Sequence, residues 1–508
     1  MDPARAPRPS SSLGPALLAL AALAVHAACG GRYGIFRDEL YFIVCGERLA
    51  WGYVDQPPGI AVVARLAHGA FGTWVPGLRL LPWIASAATV FLAGRLALRL
   101  GAGTSGALIA SAATLGSPLL LGLGHYLTMN AFEPLLAVLL ASALLRLARG
   151  EDPRLWVVAA GLAGIAVLFK YTSALLALSL VAGLVAFPER RALRTRWVAA
   201  GLAFGLLLVL PNLAWQAAHG FPFLELVRNG QLHKNAPFSA GGFLFSLATE
   251  PNPLGALVWV AGLGWLLSRG GGQARFLGAG ALLYLALLLA TKGKSYYAAP
   301  VLPILLAAGG AAWDRVRARV VRIALPAALV ATGLALAPLA LPVLPEERFE
   351  AYQRAIGLRQ RPLERSALGP LPQILADQHG FAEIAAAVAD VYRALPPEER
   401  RTAAVYGRNY GRAAAIDVLA AGAGLPPAAS GHNSYFLWGL PPGRGDPLIV
   451  VGGDGEDCGG GAWRTRTRAL RVPDSPWAMP YERGLSVWVC RGLVRPLSEI
   501  WPRARHYL

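Results

Sequence analysis

Two adjacent acids are the residues best suited to chemistry. Asp38 and Glu39 stand in Phe36-Arg37-Asp38-Glu39-Leu40-Tyr41, just after the first apolar run. A carboxylate where the chain leaves the hydrocarbon could act as a general base. It would take a proton from an acceptor hydroxyl while a sugar or phosphoryl group transfers. The structural alternative is a helix start, with Asp38 as N-cap and Glu39 in the first turn. The two roles are compatible. Asp55 and Gln56 follow in Tyr53-Val54-Asp55-Gln56-Pro57-Pro58. The prolines force an extended turn, which either orients a substrate or simply precedes a helix.

A second set is scattered further along the chain. Asn130 and Glu133, in Thr128-Met129-Asn130-Ala131-Phe132-Glu133-Pro134, lie one helical turn apart. They read either as a capping box, with Glu133 at N3, or as a polar pair facing an outer cavity. Lys170-Tyr171-Thr172 and Lys292-Gly293-Lys294-Ser295-Tyr296-Tyr297 place cations at outer helix ends. Such cations suit a lipid-linked phosphate, or they contact headgroups. His219, His233 and Lys234 could meet phosphate or metal, but two histidines 14 apart with no third ligand make a weak metal site; they read as loop residues.

These residues need a frame, and composition supplies it. Only 15% of the 508 residues are charged while 55% are hydrophobic, against about 25% charged in soluble domains. Eleven apolar segments are expected near 13–30, 78–98, 105–123, 130–146, 155–170, 172–187, 197–215, 253–268, 276–291, 297–312 and 321–345. The formal charge of +18 sits in short loops: Arg95/Arg99, Arg146/Arg149/Arg154, Arg190/Arg191/Arg194/Arg196, Arg269/Arg275 and Arg315/Arg317/Arg319/Arg322. They fall on one side of successive spans, as the positive-inside rule requires, so the charge does not call for nucleic acid. The N-terminus is then inside, and stretch 13–30 reads as a retained helix rather than a signal peptide. The outer loops are 31–77, 124–129, around 171, 216–252, 292–296 and everything after 345.

The expected architecture is a polytopic α-helical membrane domain, 1–345, followed by a soluble extracytoplasmic α/β or α+β domain, 346–508. In loop 31–77, Leu40, Ile43, Val44 and Trp51 suggest an amphipathic helix on the membrane surface. The C-terminal part shows helical stretches at Phe381–Leu395 and Gly411–Ala421. Strand-like runs appear at Ala403–Tyr406, Pro447–Gly452 and Leu485–Val489. Cys458 and Cys490 could pair if that part lies outside the cytosol, or could be two unrelated thiols.

Taken together, these segments resemble the family 39 glycosyltransferases, the protein O-mannosyltransferase and lipid A aminoarabinose transferase relatives of the GT-C fold. The resemblance rests on Arg37–Tyr41, Gly52–Pro58, Leu127–Pro134, Phe169–Thr172, Lys294–Tyr297, Pro211–Gln216 and Ser430–Tyr435. It implies a GT-C-like chain of about 11–13 transmembrane helices. The donor would be a polyprenyl-phosphate sugar, transferred with inversion at the outer face of the bacterial cytoplasmic membrane. The acceptor would be an envelope glycan, lipid or protein hydroxyl.

Asp38 would match the catalytic acid, with Glu39 its partner. Asp55 and Gln56 fall where relatives meet donor phosphate; Gln56 is uncharged, so Lys170, Lys292 or Lys294 must supply the cation. Asn130 stands where many relatives carry a second acid. Asn130, Glu133, Lys170, Tyr171, Lys292, Lys294 and Tyr296 complete the expected substrate-binding set. A divalent metal is compatible with the family, although no ligand set is evident. The competing reading is a transporter or lipid flippase, against which the chain shows no paired, interrupted halves.

Overall fold

The computed structural model describes residues 11–316, 318–357, 362, 364–455, 458 and 461–508. Stretch 1–10 and Arg317 of the last basic loop lie outside them. Every apolar segment is helical. Leu80–Arg99, Met129–Ala148, Arg196–Ala218, Arg269–Ala290, Ser295–Trp313 and Arg319–Leu339 are long and apolar enough to cross a bilayer. Thr104–Leu115 and Pro118–His125 form a bent pair, at 60°, that together is long and apolar enough for a broken span or a re-entrant loop. Ser117 caps the second half, accepting from the Leu120 N–H, and Pro118 has no N–H to lose there. Leu13–Cys29, Leu155–Phe169, Thr172–Val185 and Pro253–Leu267 are shorter, at 14 to 17 residues.

The chain folds into two compact units. The first comprises Met1–Gly30, Arg79–Ala214 and Pro237–Val343. Its core gathers Leu, Ala and Ile side chains of many spans, among them Leu144, Leu180, Leu277 and Leu305. Small residues let backbones approach. A Cβ at Gly309 would collide with the Val258 carbonyl, and one at Gly262 with that of Leu305, so the Pro253–Leu267 and Leu302–Trp313 helices meet through glycine. Arg196–Ala218 is barely covered: Leu202, Leu206, Leu207 and Leu210 are all exposed, a surface suited to lipid. The protein is a multi-pass membrane protein.

The second unit comprises Gly31–Leu78, Trp215–Ala236 and Leu344–Leu508. The division at residue 345 drawn from sequence puts the first two of these segments with the spans; in the structure they fold together with the C-terminal residues. The C-terminal part carries a four-stranded mixed sheet of β1 (Ala404–Gly407), β2 (Leu448–Gly452), β3 (Trp463–Arg471) and β4 (Ser486–Leu493). The order is β1-β2-β4-β3, with β1 and β2 parallel and the other pairs antiparallel. Sequence patterning locates β1, β2 and β4; it misses β3, which is exposed from its second residue on. Helices Phe381–Ala394 and Tyr410–Leu419 accompany the sheet, and Cys458 and Cys490 form a disulfide.

The Arg37–Glu47 helix corrects one expectation. Leu40, Ile43 and Val44 do not face a membrane surface; they are buried, as are Tyr41 and Phe42. The helix packs against Gly59–Phe71 and Tyr410–Leu419, so protein covers residues 39–46. Each such aliphatic side chain contributes roughly 1.5–3 kcal/mol on burial. Trp51 lies beyond the helix and is exposed.

Candidate active site

Asp38 sits at the second position of the Arg37–Glu47 helix, after the N-cap Phe36. Helix geometry therefore separates the two acids. Glu39, three residues after the cap, folds back so that its Oε2 accepts from the Phe36 N–H at 2.8 Å. It is fully buried. Of the two expected roles, capping falls to Glu39, and Asp38 is not the N-cap.

The Asp38 side chain is 30% exposed. Both of its hydrogen bonds fall on Oδ1, from Arg37 Nε at 3.2 Å and the Tyr410 hydroxyl at 2.8 Å. Oδ2 accepts nothing from the described residues. Arg37 is itself held on its far side. Its Nη1 donates to the Tyr481 hydroxyl at 2.8 Å and lies 3.2 Å from Asp377 Oδ2, while its backbone N–H donates to the Asp377 carbonyl. Tyr481 in turn donates to Asp377 Oδ1. Burial pushes the Asp377 carboxyl up to about 7; Arg37 pulls against it, and Asp38 and Glu482 add to the rise. The Arg37 guanidinium thus stands between one buried carboxyl and one carboxylate open to solvent.

Local structure explains how Tyr410 and Tyr481 reach this point. Asn409 caps the Tyr410–Leu419 helix, its side chain accepting from the Arg412 N–H at 2.8 Å, which sets Tyr410 in the first turn. Arg412 makes a buried pair with Glu482 at 2.7 Å and donates to the Tyr481 carbonyl, fixing the turn that carries Tyr481. Gly411 is needed for space: a Cβ there would come within 2.5 Å of Arg37 Cγ.

Asp55 belongs to the same unit. Its Oδ1 accepts from the Tyr41 hydroxyl at 2.9 Å and its Oδ2 from Asn433 Nδ2 at 3.5 Å. Burial pushes this carboxyl up to about 6; Tyr41 opposes the rise, the Asp38 charge adds to it and Lys234 lowers it. Ser434 takes the Val54 N–H onto its hydroxyl and gives its own N–H to Tyr41. Asn433 holds φ at +49°, a strained conformation for a residue other than glycine. The Ser430–Tyr435 stretch is therefore the clasp of Asp55. Gln56 faces elsewhere: fully buried, it donates to Cys45 Sγ at 3.6 Å. A cavity of about 200 Å³ is lined by Arg37, Tyr410 and Tyr481 together with His233, Lys234 and Arg365. His233 and Lys234, read from sequence as loop residues, thus share a cavity with the arginine that holds Asp38.

In the first unit, four of the expected residues converge. Lys170, the C-cap of Leu155–Phe169, donates to Asn130 Oδ1 at 2.8 Å and to Glu133 Oε2 at 3.2 Å. Its ammonium lies 4.2 Å from the ring centre of Tyr297 and 5.2 Å from that of Tyr296. Glu133, buried, also accepts from Ser173 at 3.1 Å. The capping-box alternative for Asn130 and Glu133 does not form. Pro134 fixes the helix start at Glu133, leaving Asn130 in a preceding tight turn. Tyr171 precedes the Thr172–Val185 helix as its N-cap residue. Lys292 is exposed with φ at +56°, and Lys294 is half-buried. Among the described residues, no group of three or more His, Cys, Asp or Glu could hold a metal ion.

Sequence reasoning missed Tyr410, Asp377 and Tyr481. Each is hundreds of residues from Arg37 or Asp38, and none stands in a pattern that announces it. Only the Ser430–Tyr435 stretch carried a signal.

Comparison with known proteins adds three findings. Residues 55–215 match the family model described as dolichyl-phosphate-mannose-protein mannosyltransferase. ArnT from Cupriavidus metallidurans, in the apo state, is 15% identical with a TM-score of 0.60, covering 94% of this chain and 97% of that one. The same protein bound to undecaprenyl phosphate is 16% identical with a TM-score of 0.59, covering 94% and 98%. No curated protein sequence matches the chain. The transporter reading gives way. The mannosyltransferase family match over residues 55–215 and the GT-C fold shared along the chain identify this protein as a membrane glycosyltransferase.

Proposed function

We propose that the protein transfers a sugar, with inversion, from a polyprenyl-phosphate donor to a hydroxyl of an envelope glycan, lipid or protein. The reaction takes place at the outer face of a bacterial cytoplasmic membrane, with the N-terminus inside. The observation that carries the reading is Asp38. It is a solvent-reaching carboxylate held through one oxygen, with the other open, and its arginine partner lines a cavity that also holds Lys234 and Arg365. The undecaprenyl phosphate bound to the similarly folded ArnT supports the donor class. The Cys458–Cys490 disulfide supports an oxidising location for the C-terminal residues.

In this reading Asp38 takes the acceptor proton as the hydroxyl oxygen attacks the anomeric carbon. The bond from that carbon to the phosphate oxygen breaks on the opposite face. The leaving polyprenyl phosphate keeps the electron pair, and fixed cations stabilise its charge. Arg37 and Arg365 are placed to do so in the second unit; Lys234 lines the same cavity but pairs with Glu364 at 3.8 Å. Lys170 is already neutralised by Glu133, so the Asn130–Glu133–Lys170–Tyr296 group serves binding through its shape and hydrogen bonds more than through net charge. Asp55 is the second acid available to a substrate hydroxyl. Glu39 and Gln56 act structurally.

The test is transfer by the purified protein from a panel of labelled undecaprenyl-phosphate sugars to envelope extract. Transfer from one donor with inverted anomeric configuration supports the reading. Retained configuration, or no transfer from any donor under conditions where a known relative works, contradicts it.

A further inference from the structure

A second cavity, of about 310 Å³, lies in the C-terminal part and shares no lining residue with the one beside Arg37. Its walls include three aromatic rings, Tyr406, Trp463 and Trp501, and three charged side chains, Arg495, Glu499 and Arg503. The volume is that of a small-ligand site. The rings are held in place. One face of Trp501 stacks on Phe436 at 5.5 Å and 8°, leaving the half-exposed indole at the cavity wall. The Trp463 indole N–H donates to the Gly445 carbonyl at 3.0 Å. The three charged residues are exposed.

The adjoining strand is strongly basic. In β3, at the edge of the sheet, Arg464, Arg466 and Arg468 alternate along one face and are all exposed. Arg466 stands opposite Cys490, which on its other side stands opposite Leu448, a cavity-lining residue. The arginines follow Trp463, the cavity-lining residue that begins the same strand, at a spacing of about 7 Å between successive side chains on one face. None of the three forms an ion pair among the described residues. A charged edge also discourages unwanted strand pairing, but that role needs no aromatic cavity beside it.

We infer that this cavity and the β3 arginines form a binding site for an acidic saccharide, separate from the site of transfer. Fixed indole faces take the apolar face of a sugar ring. Arginine pairs bidentately with carboxylate or phosphate, and Glu499 accepts from sugar hydroxyls. One ring occupies the cavity, and the acidic groups of following rings lie along β3.

The test is calorimetric titration of the full-length protein in detergent with digalacturonic acid, and with lactose as the neutral disaccharide. Digalacturonic acid binds saturably, at least tenfold more tightly than lactose. Binding weakens at least tenfold in Trp501→Ala and in the surface double variant Arg495→Gln/Arg503→Gln. The double variant keeps the test decisive if loss of the Phe436 stack disturbs folding. No saturable binding, equal binding of lactose, or unchanged binding in the double variant would each overturn the inference. Failed binding with sugar transfer intact defeats this inference alone, and binding without transfer defeats only the proposed reaction.

Discussion

The phenol of Tyr410 donates to Oδ1 of Asp38 at 2.8 Å, across a sequence separation of 372 residues. A C-terminal side chain thus orients the carboxylate of the first loop. Among the described residues, removing it leaves Arg37 as the one hydrogen-bond donor to Asp38. Hydrogen bonds to charged groups are worth about 1.5–3 kcal/mol, so Tyr410→Phe should lower kcat about tenfold or more while KM for the donor stays near wild type. Steady-state transfer assays check this. An unchanged kcat would show that Arg37 alone suffices.

Glu39 gives the opposite expectation. Its carboxylate serves the Phe36 N–H, and a glutamine oxygen can do the same. Glu39→Gln should keep transfer within a few fold, whereas Glu39→Ala should cost about 1–2 kcal/mol of stability through loss of the cap. Thermal unfolding in detergent beside activity measures both. A folded Glu39→Gln protein reduced a hundredfold in transfer would restore Glu39 to the catalytic role expected from sequence.

Asp377 ties stability to pH. Its carboxyl is buried and pushed up to about 7, so between about pH 4 and 7 the folded state binds more protons than the unfolded chain. Stability from this group is therefore present at low pH and is lost as pH rises through that window. Asp377→Asn should remove this component, flattening the Tm against pH curve between 4 and 7. An equally steep curve in the variant would assign the slope to Asp55 or Asp417, both raised to about 6 by burial.

Lys170 and Glu133 form a nearly buried pair, with side chains 13% and 4% exposed. Breaking such a pair from one side leaves an uncompensated charge and costs about 3–5 kcal/mol. Lys170→Met should destabilise strongly, and adding Glu133→Gln should recover much of the loss. A double-mutant cycle on thermal stability reads this directly. Additive losses would show the two side chains to be energetically independent.

What the sequence reveals follows from how local each signal is. Apolar runs and positive loops are local, and every expected apolar segment is helical, although 105–123 is broken into two helices. The convergence of Asn130, Glu133, Lys170 and Tyr296 was also within reach, because each is polar at the end of an apolar run. The capping roles were harder. Phe36 occupies the N-cap without a capping side chain, so pattern favoured Asp38; Pro134 sets a helix start that displaces Asn130. The setting of Asp38 was least legible. Tyr410, Asp377 and Tyr481 meet Arg37 only through tertiary packing, and nothing near them in sequence distinguishes them from other tyrosines and acids. The strand Trp463–Arg471 hid for a related reason: an edge strand exposed on both faces has no hydrophobic alternation.

The central claim is that Asp38 is the base. The most direct measurement is sugar transfer by wild type and Asp38→Asn side by side, with each protein's folding checked by thermal unfolding. Asparagine keeps an oxygen for Tyr410 and Arg37 but cannot take a proton. The account predicts transfer reduced at least a hundredfold, the scale of lost general-base catalysis, with the Tm close to wild type. Transfer within a few fold of wild type in the folded variant would contradict it and move the base to another carboxylate, Asp55 first.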